Sequence, residues 1–439
     1  MRNKMQQNPP ISLQQLITAT MIGTTIEYFD NYIYAIAAVL IFNHQFFYSA
    51  DPVSNQIAAL STLALTFIAR PLGAALFGHF GDRIGRKNTL VISLLLMGSS
   101  TIIIGLLPTY EHIGIWATLL LCLCRIGQGI GLGGEWGGAA LVAIENAPQN
   151  KRGWYGTFPQ LGAPIGLLLA NGIFLLISLL LGDQALLDWA WRIPFISSII
   201  LIFIGLYVRL KLVESPIFIT ATEQKRVVNL PIKLLFSTYT KPFLLGMLLS
   251  VAGYVLFYIM IAFTQVYAKS PVGLSPSGYS TGLGFSSGSL TFLLMCSACS
   301  LAFTIYLSGF YIDRIGRRSW MIITTFGVTL FGLSIPFFLE NATILSLFFF
   351  FMIGMGLIGM GYGPLASLLP ELFPTEIRYS GASLAYNCAG ILGASVATLI
   401  TIPLNNYFGL WGVGIYLSAN GLLSLVALWK IKETKENSL

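Results

Sequence analysis

Charged residues are scarce in this sequence, and this scarcity limits the classes of protein it can be. They make up 9% of the 439 residues, whereas hydrophobic residues make up 55%. Soluble proteins carry roughly 25% charged residues, because polar side chains must cover the surface that faces water. A water-soluble globular fold is therefore excluded, and most of the surface must face lipid.

Cysteine and histidine are also rare, with five and three residues. All five cysteines fall within apolar segments, so we interpret them as small hydrophobic residues rather than disulfide partners or metal ligands. No metal cluster, nucleophile–base pattern or phosphate-binding loop is visible. The sequence thus predicts no cofactor and no enzymatic activity. The first apolar run is too long for the core of a signal peptide.

Long apolar runs dominate what is present. About 20 apolar residues span a bilayer as a helix, and these runs are continuous rather than alternating, which favours helices over a barrel. The sequence predicts an all-α membrane protein of twelve spans. They lie near residues 14–43, 56–80, 88–107, 114–146, 155–182, 192–212, 242–268, 287–312, 319–338, 343–368, 379–403 and 408–430.

Lys and Arg are concentrated in the loops on one side of these spans. Twenty of the 24 Lys and Arg residues, Arg209 among them, fall on the side of the N-terminus when the spans are counted in turn. Such loops face the cytoplasm, so both termini are predicted to be cytoplasmic. The net charge of +7 then reflects topology, and no nucleic-acid partner is predicted.

The two halves of the chain repeat each other. GHFGDRIGRK at 78–87 matches GFYIDRIGRR at 309–318, and ENAPQNKR at 145–152 matches ELFPTEIR at 371–378. We therefore predict a six-helix bundle over 1–212, a cytoplasmic linker over 213–241 and a second six-helix bundle over 242–439. Two parallel repeats around a central pathway are typical of secondary transporters.

The repeated loops supply candidate gating residues. Anchoring by positive charge alone needs only Lys and Arg, but these motifs also fix Asp and Gly. Asp82 and Asp313 are candidates to cap a facing helix N-terminus, and the Arg residues are candidates to pair with Glu145 or Glu371. The full set is Gly78, Asp82, Arg83, Gly85, Arg86, Glu145, Arg152, Gly309, Asp313, Arg314, Gly316, Arg317, Glu371 and Arg378.

Five charged residues lie well inside the spans of the first half: Glu27, Asp30, Arg70, Arg125 and Glu135. A charge at mid-bilayer costs roughly 2.5–3.5 kcal/mol even on lenient scales, and such residues commonly mark transport pathways. The second half has no comparable charge. We therefore expect the first half to handle protons, with Glu27, Asp30, Arg125 and Glu135 as the coupling residues.

Glu27 and Asp30 are three residues apart, so they share a helix face. Two acids this close in a low dielectric should not both ionise readily, which suits a proton carrier; a static ion pair with Arg70 is the alternative. Arg125, Gln128 and Glu135 form a polar stripe that is expected to face a cavity. Glycine packing around an Arg–Glu pair is its alternative.

Arg70 and Arg125 are candidates to hold an anionic group, because a guanidinium binds carboxylate bidentately. An organic acid is therefore the favoured substrate class, and the uncharged second half is expected to supply polar contacts. The predicted substrate-binding residues are Tyr34, Arg70, Gln128, Gln160, Tyr258, Gln265, Tyr386 and Asn387.

The motif G-x-x-x-D-R-x-G-R-[RK], present twice, resembles the cytoplasmic signature of the major facilitator superfamily. IEYFDNYIY, FIARPLGAALFGHFGDRIGRK, RIGQGIGLGGEWGGA and GWYGTFPQLGAPIG are similar to the metabolite:proton symporter family, which includes proline/betaine, citrate, 2-oxoglutarate and shikimate carriers. The resemblance implies twelve helices, alternating access and proton-coupled uptake. It also implies a proton-coupling role for Arg125.

Three functions stay open on the sequence alone. The first is proton-coupled import of a small organic acid, amino acid or zwitterionic osmolyte by a monomer in a bacterial inner membrane. The second is proton-driven export of drugs or siderophores on the same fold. The third, a membrane sensor, is disfavoured by the short tails. For the two transporters, the expected partners are the substrate, H⁺ and the lipid bilayer, and the energy source is the proton gradient.

Overall fold

The structure is a computed structural model that describes residues 13–48, 52–210 and 230–435. Helices cross its first half six times. They are α1 (Leu13–Ala37, continued through a π-helical turn to Gln45), α2 (Pro52–Ile84), α3 (Arg86–Leu106), α4 (Ile115–Glu145), α5 (Arg152–Gln160 and Gly162–Leu181) and α6 (Arg192–Leu210). Most of the predicted linker, residues 213–229, lies outside the described residues.

The second half repeats this pattern after a short helix, Pro231–Thr238. Its first four helices are α7 (Thr240–Tyr258, continued through a π-helical turn to Lys269), α8 (Ser287–Ile315), α9 (Arg317–Leu339) and α10 (Ile344–Glu371). The last stretch comprises Arg378–Gly390, a π-helical turn and Val396–Lys430.

Gly409 divides this last stretch into two spans, α11 and α12. Its φ of 65° and ψ of −168° are not helical, although the surrounding residues are. The described residues contain 11 apolar helical segments, and the last, Thr375–Lys430, is 56 residues long. A helix of that length would extend about 84 Å, far beyond a hydrocarbon core of about 30 Å. The break confirms the prediction of twelve spans.

Glycines in α4 bring it unusually close to α2. A Cβ at Gly129 would lie 2.5 Å from the Thr66 carbonyl oxygen, and one at Gly133 would overlap the Arg70 carbonyl oxygen. Gly73 of α2 has the same relation to the Ile130 carbonyl. Only glycine permits such backbone contact, so the glycine-rich sequence of α4 fixes where the side chains of α2 point.

The outer surface is apolar, as a lipid-facing protein requires. Leu179, Leu180 and Phe337 are each more than 70% exposed, and similar side chains cover the outside of both halves. Because lipid satisfies no backbone hydrogen bonds, regular helices are the structure expected there.

Each half packs one helix against two helices of the other half. α11 of the second half packs on α2 and α4, and α5 of the first half packs on α8 and α10. The contacting segments Arg152–Gln160 and Arg378–Gly390 directly follow the second basic motif of each half. The end of the molecule that carries these motifs is here called the motif end. This is the end predicted to be cytoplasmic.

Gly133→Ala should destabilise the protein, because the added methyl group meets the α2 backbone. We expect a loss of about 1–3 kcal/mol, typical of overpacking, measured as earlier thermal unfolding in detergent. Gly172→Ala is the matched control, since nothing lies within 4 Å of a Cβ there. Equal unfolding temperatures for the two variants would contradict the close packing of α2 and α4.

Candidate functional site: a central cavity and buried charges

A cavity lies between the two halves of the molecule. Along the helices, it lies on the membrane side of the motif end. Six tyrosines are prominent in its wall, and its second-half wall is uncharged. The first half contributes Tyr28, Asn31, Tyr32, Arg70 and Ala163, and the second half contributes Tyr254, Phe257, Tyr258, Thr324, Thr325, Tyr362 and Tyr386 among others. Phenol and amide groups on an apolar wall suit a small polar ligand.

Arg70 is the charged side chain of that wall. It is 7% exposed, and its guanidinium carbon lies 4.5 Å from the Phe67 ring centroid. Its Nε atom has no hydrogen-bond partner among the described residues. Pro71 follows it within α2, and the contact of α2 with Gly133 holds the backbone at this point. A buried cation without an ion-pair partner can bind an anion.

Asp30 lies deeper in the first half, away from the cavity wall. Its Oδ1 accepts from Ser198 Oγ at 2.6 Å and its Oδ2 from Thr101 Oγ1 at 3.0 Å. Gln128 Nε2 donates to Thr101 Oγ1 at 2.7 Å, and Arg125 donates to Gln128 Oε1 at 2.5 Å. Asp30 is thus joined to Arg125 by a continuous hydrogen-bonded chain rather than by an ion pair.

Arg125 is fully buried and lies over an aromatic ring. Its guanidinium carbon is 3.6 Å from the centroid of Tyr34, and the Tyr34 hydroxyl pairs with Thr62 Oγ1 at 2.6 Å. Tyr34 and Gln128 were predicted as substrate contacts, but they lie outside the cavity wall. They hold Arg125 instead.

Glu135 forms an ion pair with Arg209 of α6. Arg209 is 3% exposed and also donates to the Leu90 carbonyl oxygen at 2.6 Å. Arg209, which the sequence counts among the positive residues of the cytoplasmic side, is therefore buried and paired; Glu135 thus has the Arg partner of the alternative interpretation, but it is Arg209 rather than Arg125. The glycine at position 23 allows Arg209 to pass close to α1, since a Cβ there would lie 2.9 Å from Nη2.

The predicted substrate contacts divide into two groups. Arg70, Tyr258 and Tyr386 line the cavity, whereas Gln160, Gln265 and Asn387 do not. Gln160 joins Trp136 Nε1 (3.2 Å) to the Tyr362 carbonyl (3.0 Å), and Asn387 donates to the Gly133 carbonyl oxygen at 3.1 Å. Gln265 lies near the far end of the α7 segment.

Sequence reasoning missed Tyr28, Asn31, Tyr32 and Tyr362 as cavity residues. The first three lie beside the acids of α1 at positions i, i+3 and i+4, which is one helix face. That spacing was a usable signal. Tyr362 and Tyr386 both reach Tyr28 from the second half, Tyr386 at 3.4 Å between hydroxyl oxygens. Trp136 stacks on Tyr386 with ring centroids 3.9 Å apart, which closes the cavity toward the motif end.

Asp82 and Asp313 cap facing helices, as predicted. Asp82 accepts from the backbone N–H groups of Tyr379 (3.2 Å) and Ser380 (3.0 Å) at the start of α11. Asp313 accepts from those of Gly153 (3.0 Å) and Trp154 (2.8 Å) at the start of α5. Each bond crosses between the halves. An anion at a helix N-terminus satisfies free N–H groups and the helix dipole.

Ion pairs surround these caps, also as predicted. Arg378 Nη1 lies 3.7 Å from Glu145 across the interface. Arg317 lies 3.1 Å from Asp313 and 3.4 Å from Glu371 within the second half. The side chain of Arg152 is in the electrostatic field of Glu371 and Glu145. Arg83 and Arg314 are exposed, and the side chain of Arg86 lies outside the described part of the chain.

The motif glycines have two separate tasks. Gly85 and Gly316 form the turns, with φ of 107° and 105°, a region that other residues enter at a cost. Gly78 and Gly309 allow the halves to touch. A Cβ at Gly78 would lie 2.8 Å from Ser380 Cα, and one at Gly309 would lie 2.9 Å from Thr157 Oγ1.

A third capping acid was not predicted. Glu433, beyond α12, accepts from the backbone N–H groups of Arg317 (2.8 Å) and Arg318 (3.1 Å) at the start of α9. Next to it, Thr434 Oγ1 donates to Glu371 at 2.5 Å. The chain after α12 is thereby tied to the second-half motif, and no local sequence pattern pointed to this contact.

Two helical halves around a central cavity, closed at one end by matched caps, are the architecture of a membrane transporter. The model of the Major Facilitator Superfamily matches residues 20–398. The chain belongs to that superfamily.

Known transport proteins are similar in sequence to this chain along almost its whole length. A Haemophilus influenzae protein, provisionally named a metabolite transport protein, is 70% identical over 98% of this chain and 97% of its own. The inner membrane metabolite transport protein YhjE of Escherichia coli is 48% identical over 99% and 98%. The Escherichia coli shikimate transporter is 36% identical over 94% and 93%.

The fold is shared with a solved structure of more distant sequence. The proton:xylose symporter XylE bound to 6-bromo-6-deoxy-D-glucose superposes with a TM-score of 0.76 at 18% identity, covering 97% of this chain and 98% of that one. Membership of the superfamily, with transport proteins as relatives over the whole chain, makes this protein a multi-pass membrane transporter rather than an enzyme.

Asp82→Asn should open the motif end more often, because the neutral amide is a weaker acceptor for the Tyr379 and Ser380 N–H groups. Loss of about 1–2 kcal/mol corresponds to a roughly 5–30-fold shift between conformations. The reporter is maleimide labelling of Ser383→Cys, a fully buried position on α11, in a background without the native cysteines. Labelling should accelerate in Asp82→Asn but not in Asp188→Asn, whose acid is exposed at the other end. Equal rates would contradict the gating role of Asp82.

Proposed function

We propose that this transporter imports a small organic acid together with protons by alternating access. The observation that carries the proposal is Arg70: a buried guanidinium in the cavity wall that makes no ion pair among the described residues and whose Nε atom has no hydrogen-bond partner there. A substrate carboxylate would satisfy it with two parallel hydrogen bonds.

The rest of the wall supports a hydroxylated or otherwise polar acid. The hydroxyl of Tyr32 is buried and has no hydrogen-bond partner among the described residues, so a ligand that bonds to it gains a hydrogen bond without breaking an existing one. The printed name of one relative, a shikimate transporter, fits a carboxylate substrate of this kind.

A zwitterionic osmolyte is the second candidate. The tyrosine rings that surround the cavity offer faces to a quaternary ammonium group through cation–π attraction. A primary ammonium is less well served, because no carboxylate lines the cavity among the residues described. No contact among the described residues argues against export on the same fold. A transport assay in proteoliposomes therefore determines the direction.

Proton coupling is assigned to the buried acids of the first half. Asp30 is supported by its hydrogen-bonded chain through Thr101 and Gln128 to Arg125. A change of charge at Asp30 would alter every bond in this chain, which would link protonation to the positions of α1, α3 and α4. Opening of the motif end would require rupture of the caps made by Asp82 and Asp313.

Arg70→Gln should weaken binding of the acid by about 10–100-fold, since a charge-assisted pair worth roughly 1.5–3 kcal/mol is lost. A thermal-shift screen of organic acids, amino acids and betaines identifies the ligand, and calorimetry then compares the acid with its amide. The amide should lose much less affinity, and Arg70→Lys should retain part of the binding. Equal losses for acid and amide would mean that Arg70 is structural.

Asp30→Asn should abolish accumulation driven by a proton gradient but spare counterflow exchange in proteoliposomes. The amide preserves the shape of the site yet cannot cycle a proton. Asp183→Asn, an exposed acid bonded to Ser178, is the control and should accumulate substrate normally. Uphill uptake by Asp30→Asn would refute the assignment.

A further inference from the structure

The cavity wall carries a single cation among the residues that the structure describes. That cation is Arg70 of α2, and the part of the wall that the second half contributes is uncharged. One guanidinium pairs with one carboxylate through two parallel hydrogen bonds. A second carboxylate on the same ligand would lie against phenol and aliphatic groups without a counter-charge, and burial of an unpaired charge is costly.

Arg125 and Arg209 are also buried in the first half, but neither supplies a second positive charge to the cavity. Arg125 donates to Gln128 Oε1, and Arg209 is paired with Glu135. Neither arginine lines the cavity, and the basic residues of the repeated motifs lie outside its wall. The described wall can therefore neutralise one carboxylate.

The phenols of the wall do not replace a second cation. The Tyr28 hydroxyl pairs with those of Tyr362 and Tyr386, so these three groups bond with one another. The Tyr32 hydroxyl has no hydrogen-bond partner among the described residues, but it belongs to the same half as Arg70. A neutral hydroxyl also binds a carboxylate less strongly than a charged donor does.

The second half offers threonine hydroxyl groups on its face of the cavity. Met321, Thr324, Thr325 and Val328 of α9 line the wall at spacings of three and four residues, so they share one helix face. Both threonines are buried. Hydroxyl groups inside an apolar wall are suited to fix the orientation of a small polar ligand.

The hydroxyl of Thr324 distinguishes a ligand hydroxyl from a carboxylate. Its Oγ1 donates to the Trp320 carbonyl oxygen at 3.0 Å, and its methyl carbon would lie 3.5 Å from a Cβ at Gly361 of α10. Because the hydroxyl proton is used within α9, the oxygen is left to accept a hydrogen bond from a ligand. A ligand hydroxyl can donate such a bond, whereas an ionised carboxylate has no proton to donate.

We propose that the cavity selects a hydroxylated monocarboxylate, with its carboxylate on Arg70 and a hydroxyl group on Thr324 and Thr325, and that it rejects dicarboxylates. This inference rests on the proposed function, because it assumes that the ligand of Arg70 is an organic acid. It adds the number of carboxylates and the group that the second half recognises. Such a ligand contacts both halves, so it stabilises the conformation in which they are close around it.

Calorimetry on the wild-type protein in detergent tests this selectivity with two series of acids. Gluconate, hexanoate and glucarate share a six-carbon chain; hexanoate lacks the hydroxyl groups, and glucarate adds a second carboxylate. Quinate, cyclohexanecarboxylate and cyclohexane-1,4-dicarboxylate form the ring series. In at least one series, the hydroxylated monocarboxylate should bind about tenfold or more tightly than its two counterparts. Tighter binding of a dicarboxylate, or of betaine, which has no hydroxyl group, would overturn the proposal.

The double variant Thr324→Val with Thr325→Val removes both hydroxyl groups and nearly preserves the side-chain shape. It should weaken binding of the hydroxylated acid about tenfold and change that of its counterpart without hydroxyls about twofold at most. Thr329→Val is the matched control, because Thr329 lies on α9 outside the wall and its Oγ1 donates to the Thr325 carbonyl oxygen at 2.8 Å. Equal losses for the two ligands would show that the threonines act only through packing, which contradicts their assignment.

Thr325→Lys tests the count of charges. A second cation on the second-half wall should improve binding of the dicarboxylate about tenfold relative to the monocarboxylate; an unchanged ratio in a folded variant contradicts the proposal. If Thr325→Lys does not fold, the wild-type comparison decides. If dicarboxylates bind the wild type through Arg70 as tightly as monocarboxylates do, the proposed function stands and this inference fails. If no organic acid binds and Arg70→Gln changes nothing, both fail.

Discussion

Charge balance inside a low-dielectric bundle is the constraint on which the rest of this structure depends. Several acids and arginines lie buried in the first half, and removing the partner of such a charge is expensive. Glu135 and Arg209 meet this constraint by direct contact, and Asp30 and Arg125 meet it through hydroxyl and amide groups. Glu27 Oε2 and Arg70 Nε have no hydrogen-bond partner among the described residues, and Arg70 lies in the cavity wall.

The glycine-rich α4 makes this arrangement possible. It carries Arg125, Gln128 and Glu135 on one face, and its glycines place those groups against the backbones of α2 and α3. The packing and the electrostatics are therefore one feature. A larger residue at Gly133 would move α2, and with it Arg70, relative to the cavity.

At the motif end, the buried acids instead satisfy the free N–H groups of helix N-termini. Asp82 and Asp313 satisfy N–H groups of helices that belong to the opposite half. These hydrogen bonds stabilise the conformation in which the motif end is closed. Only a few of them must break for that end to open. Arg70 of the cavity wall and Asp82 of the cap lie on the same helix, α2, which packs on α4 and α11.

The sequence by itself determined the helical class, the twelve spans, the repeat and the two capping aspartates. Each follows from local rules: apolar length, the pairing of motifs, and the preference of an anion for a helix N-terminus. Predicting Tyr28, Asn31 and Tyr32 as cavity residues was also within reach, because helix spacing places them together.

Tertiary structure alone decided the partners of the buried charges. Arg209 lies near the end of α6, where a count of positive residues places it on the cytoplasmic side, and only its packing against Gly23 and Glu135 shows that it is buried. Likewise, Tyr34, Gln128 and Asn387 have the chemistry of ligand contacts but are used by neighbouring helices. Sequence spacing fixes which residues share one helix face, whereas the partner of that face depends on how separate helices pack.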